Sequence, residues 1–148
     1  MSKIAKMAQI ATVAALALPV LVGVAGTAQA STPAGCSSVT QIGSTAYLTV
    51  GGQTMASVKQ YKGCSKNYSY LYVWDGYRST HSSWQACTSV VTNGGHTLED
   101  ENCGGSKTVE IWSFGASTLS QCTQALGWHG TGDWPDPGDP IALTDLRC

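Results

Sequence analysis

The chain has 148 residues, of which 43% are hydrophobic and only 11% charged, with a formal net charge of −1. A near-neutral chain without a basic run argues against nucleic acid as its main partner. Lys3 and Lys6, the apolar run from Ile10 to Ala25 and the small residues of Ala28-Gln29-Ala30 predict a leader over residues 1–30, cleaved before Ser31. The run is only marginally long enough to span a bilayer and no positive flank follows it, so no membrane association is expected after cleavage.

The remaining 118 residues, 31–148, are expected to form a single secreted β-domain. Without Lys3 and Lys6 it carries six basic and nine acidic side chains, a net charge of −3. All six cysteines (Cys36, Cys64, Cys87, Cys103, Cys122, Cys148) fall in it, and an even count in an exported chain reads as three disulfides. There is no C-x-x-C pair for zinc. Six cysteines allow fifteen pairings; joining sequence neighbours is the simplest. Leu, Ile, Val and Phe make up about 15% of the domain, a fraction low enough to suggest disorder. Five Trp and six Tyr supply the missing buriable surface, and the bridges supply the remaining stability.

In chain order, Ser31 to Gly35 reads as a short N-terminal arm tied down at Cys36. Thr45 to Val50 alternates with Ala46, Leu48 and Val50 on one face, and Gly51-Gly52 signals a hairpin returning through Gln53 to Tyr61. Tyr68, Tyr70, Tyr72 and Trp74 occupy every second position of the next strand, Tyr68 to Asp75, and so share one face as an aromatic ladder. Gly76 to Ser83 reads as a turn, Trp84 to Thr92 as a strand, and Asn93-Gly94-Gly95 as another turn. His96 to Ser106 is acidic and irregular. Lys107 to Phe114 suits a strand, Ser117 to Leu126 could be helix or strand, Gly127 to Pro140 reads as a loop, and Ile141 to Cys148 as an edge strand. The pattern indicates an all-β fold of six or seven short strands, a disulfide-stapled sandwich or barrel.

The ladder is either the wall of a core or a stacking surface for a ligand. The shortage of aliphatic residues favours the core, with Trp84, Ala86 and Val90 or Val109 and Ile111 packed against it. That leaves its end, Tyr72, Trp74 and Asp75, and the Gly-rich loop carrying Trp128 and Trp134 as the expected ligand-binding residues. Tyr and Trp faces stack on the apolar C–H faces of sugars while their polar tips make hydrogen bonds. Asp133, Asp136 and Asp139 are oxygen-rich but do not match a calcium loop, so no metal or other cofactor is expected.

Catalysis is the weaker reading. His81, His96 and His129 belong to no catalytic motif, and the pair Asp75 and Glu110 suggests glycoside hydrolysis only if their separation is right. The Ala-rich leader and charge-poor, Ser/Thr/Gly-rich body resemble small exported proteins of Gram-positive bacteria, a likeness of composition that assigns no site. The expectation is a secreted non-catalytic binding module for an extracellular polysaccharide or cell-wall polymer. Its alternative is a protein-binding factor, an inhibitor or a subunit of an exported toxin or surface assembly, whose partner is another exported protein.

Overall fold

A computed structural model describes residues 31–148; the expected leader, residues 1–30, lies outside the described residues. Strands β1 (Thr40–Val50), β2 (Gln53–Gly63), β3 (Lys66–Val73), β4 (Ala86–Thr92), β5 (Thr97–Cys103), β6 (Glu110–Trp112), β7 (Gln124–His129) and β8 (Ile141–Leu143) follow in that order, with a short helix α1 (Asp75–Thr80) between β3 and β4. They make two antiparallel four-stranded sheets, β1-β2-β3-β6 and β5-β4-β7-β8. The fold is a sandwich; the sheets do not close into a barrel.

The Gly51-Gly52 hairpin forms as its sequence predicts. Both glycines have positive φ, 57° and 82°, which a two-residue turn matched to strand twist requires. The bridges join sequence neighbours: Cys36–Cys64, Cys87–Cys103 and Cys122–Cys148. Their sequence separations of 28, 16 and 26 residues correspond to about 3–4 kcal/mol each in a chain-entropy account.

Three assignments change. The irregular stretch after His96 contains β5, whose Cys103 lies directly opposite Cys87 on β4; its acidic residues sit on an edge strand that needs only one partner. The segment read as a loop from Gly127 is strand as far as His129. Gly127 was the misleading residue. A Cβ there would overlap Val58 and Leu71 of the opposite sheet, so the glycine marks close approach of two sheets and not a turn. The turn expected after Trp74 is α1, whose Tyr77 is buried in the core beside Met55 and Trp84.

Leu48, Ala56, Val58, Leu71, Val73 and Ile111 of the first sheet face Ala86, Ala125 and Ala142 of the second. Small residues on the second sheet let the layers approach, so few aliphatic side chains fill the gap. Much of the remaining interlayer space is polar, with hydroxyl and amide groups paired across it, although Gln60 Oε1 has no partner among the described residues. Ser69 Oγ lies 2.5 Å from Thr88 Oγ1, Gln60 Nε2 donates to Thr123 Oγ1 at 2.5 Å, and Asn67 Nδ2 donates to Thr118 Oγ1 at 3.0 Å. Buried hydroxyls and amides joined this way avoid the desolvation cost of lone polar groups. Among the described residues no helix is long and apolar enough to cross a membrane.

Candidate functional site: an aromatic shelf on one sheet

Strand pairing decides where the ladder points. Tyr68 lies opposite Tyr61, Tyr70 opposite Lys59 and Trp112, and Tyr72 opposite Ser57 and Glu110. Directly opposed residues share a face, and this face is not the one carrying Val58, Leu71 and Ile111 into the core. The ladder therefore lies on the outer face of the first sheet, correcting the expectation that it walls the core. The shortage of aliphatics misled because the interlayer space is filled by alanines and paired polar groups.

The outer face divides into a sealed end and an open end. Tyr61, Tyr68 and Tyr70 are buried around Trp112, with ring centroids 5.0, 6.3 and 4.5 Å from its own. Burial, and then the nearby Glu110 charge, holds the Tyr70 phenol far above its ordinary pKa. The N-terminal arm reaches this end. Ser31 Oγ donates to Glu110 Oε2 at 2.6 Å and accepts from Trp112 Nε1 at 3.1 Å, and Pro33 is buried.

The open end carries Tyr47, Tyr72 and Trp74. Tyr47 on β1 and Tyr72 on β3 flank Ser57 on β2 in a single cross-strand row. With strands about 4.8 Å apart, two tyrosines stand on either side of a small residue. Tyr47 is 59% exposed and Trp74 42% exposed. The Trp74 ring meets the half-buried Tyr72 edge-on, 5.8 Å between centroids at 90°.

Local structure holds these groups in place. Trp74 N donates to Met55 O at 2.9 Å, and Trp74 O accepts from Tyr77 N and Arg78 N at the start of α1. That turn brings the Arg78 guanidinium to 5.9 Å from the Tyr72 ring centre; its Nη2 donates to Tyr72 Oη at 3.4 Å and pairs with Asp75. Tyr72, Trp74 and Asp75 are thus brought together, joined by Arg78 and Tyr47. The sequence contained the signal for Tyr47: with Leu48 pointing into the core, its neighbour must point out.

The other expected anchors separate from this shelf. Trp128 is fully buried on the outer side of the second sheet, opposite Cys87 and Ile141, so it offers no surface to a ligand. The loop after it folds back, with Gly130 N bonded to Gln85 O at 3.2 Å and Gly132 O 3.7 Å from the sulfurs of Cys87 and Cys103. Trp134 stands 47% exposed on that loop. Beneath the loop lies an open depression of about 630 Å³, lined by Trp84, Gln85, His129, Asp136 and Asp139. Asp139 Oδ2 accepts from Asp136 N at 2.9 Å, so this carboxylate closes its own turn. Among the described residues no group of three or more His, Cys, Asp or Glu side chains is placed to hold a metal ion.

Asp75 and Glu110, the carboxylates considered for hydrolysis, have separate partners, Arg78 for one and Ser31 for the other. What the shelf can do chemically is stack and hydrogen-bond: flat rings, a guanidinium, a carboxylate and the Lys59 ammonium on the same sheet face. No family model matches the sequence, and neither the curated proteins nor the solved structures contain a match to it.

Proposed function

We propose that this protein is a secreted, non-catalytic binding module that recognises an extracellular carbohydrate or cell-wall polymer on the Tyr47–Tyr72–Trp74 shelf. The observation that supports it is the exposure of Tyr47 and Trp74 on the same sheet face as Tyr72. Ordered aromatic side chains lose little conformational freedom on binding, and their rings match the apolar faces of sugars. Asp75 and Arg78 add a hydrogen-bond acceptor and donor beside the rings. Exposed rings on an open sheet face suit a long polymer chain better than a small molecule needing enclosure.

The test is retention of the oxidised protein on insoluble glucan, chitin and peptidoglycan. Retention on at least one of them, lost in Trp74→Ala and kept in Trp134→Ala, supports the shelf. Retention on none, together with stable co-purification of another exported protein, supports the protein-binding reading instead.

A further inference from the structure

We infer that Glu110, with Trp112 holding the Ser31 hydroxyl beside it, forms a receiving site for the free α-ammonium group of a chain that begins at Ser31, so that leader removal completes the closure of the aromatic face. Two independent observations converge on Ser31. The sequence places the expected cut between Ala30 and Ser31. The structure seats the Ser31 side chain on the carboxylate of Glu110, at 2.6 Å, and on the indole N–H of Trp112, at 3.1 Å.

The cut changes the chemistry at this point. Hydrolysis of the Ala30–Ser31 bond consumes one water and leaves a carboxylate on Ala30 and a protonated amine on Ser31. In the uncut chain the Ser31 nitrogen is a neutral amide with one hydrogen to donate. After the cut it carries a full charge and three donors, within the same residue whose hydroxyl already rests on Glu110. An opposite charge within about 4–6 Å favours the charged form of both partners.

Glu110 is suited to receive it. It stands at the outer edge of the first sheet, opposite Tyr72, with the Tyr70 phenol nearby. The cation in the neighbouring cross-strand row is Lys59, opposite Tyr70 on β2. From Ser31 the arm runs through the buried Pro33 to Cys36, whose bridge to Cys64 lies at the β2–β3 turn beside Tyr61 and Tyr68. The arm is therefore fastened covalently at one end of the sealed aromatic cluster and by Ser31 at the other. The α-ammonium strengthens the second fastening.

The experiment uses the exported protein purified from culture medium. Mass spectrometry first reads its N-terminus; a start at any residue other than Ser31 overturns the inference at its premise, independently of whether a carbohydrate binds. The rate of α-amine acetylation is then measured near neutral pH for the wild type and Glu110→Gln. The expected result is a rate about tenfold lower in the wild type, as a pKa raised by one unit would produce. Acetylation should also lower the melting temperature of the wild type while leaving that of Glu110→Gln unchanged. Equal acetylation rates in the two proteins, or equal melting shifts on acetylation, overturn the inference.

Discussion

Tyr47 and Tyr72 stand on opposite sides of Ser57, two strands apart, on the outer face of the first sheet. Ser57 is only 2% exposed although it faces outward, so the flanking rings already shelter it. A larger residue at this position would push up between the tyrosines and move their rings apart. Ser57→Leu is therefore expected to abolish retention on a bound polymer while the far-ultraviolet circular dichroism stays native. Retention at the wild-type level would show that the placement of these two rings is not used.

Gly127 tests the packing that turned the ladder outward. The two layers meet there, with Val58 and Leu71 occupying the space a Cβ would need. Gly127→Ala is expected to destabilise the oxidised protein by about 1–3 kcal/mol in denaturant unfolding, the usual cost of overpacking a core. A variant as stable as the wild type would mean that the layers can separate at little cost.

The buried phenols make stability depend on alkaline pH. Burial raises the pKa values of Tyr61, Tyr70 and Tyr77, with the Glu110 charge adding to the effect at Tyr70. Below about pH 10 these phenols are neutral in both folded and unfolded chains. Above it the unfolded chain ionises first, so stability falls as pH rises towards the folded-state values. Phenolate absorbance is expected to include a late stage, from Tyr61, Tyr70 and Tyr77, that coincides with unfolding. A single stage with the fold intact would contradict their burial.

Trp128 and Trp134 should behave oppositely although they are six positions apart. Trp128→Ala removes a fully buried indole packed over the Cys87–Cys103 bridge, and is expected to cost about 3–5 kcal/mol of stability. Trp134→Ala removes an exposed ring and should change stability by less than about 0.5 kcal/mol. Denaturant unfolding of the two variants checks both values.

The same two residues show how far the sequence could be read. Alternation indicates a strand from Tyr68 to Asp75, of which Tyr68 to Val73 is strand, and the glycine pair indicates the first hairpin, because both signals are local. Which face of that strand is buried is not local. It depends on Leu71 and Val73 meeting the small residues of the second sheet, which composition does not reveal. Trp128 was assigned to a loop because of the glycines around it, although Gly127 serves close packing between sheets. Tyr72, Trp74 and Asp75 were recognisable because they are neighbours in sequence. For Tyr47 the sequence shows only that it points away from Leu48; its place beside Tyr72 arises through the pairing of three strands.

The most direct measurement of the central claim is the affinity of the wild type and Trp74→Ala for a soluble oligosaccharide cut from whichever polymer retains the protein, by titration calorimetry. Trp74 is exposed, so its removal should leave the melting temperature nearly unchanged. Loss of one stacking ring, worth about 1–3 kcal/mol for a binding hot spot, corresponds to an affinity at least about fivefold weaker. That is the expected result. An unchanged affinity in a fully folded Trp74→Ala protein would contradict the assignment of the shelf as the binding site.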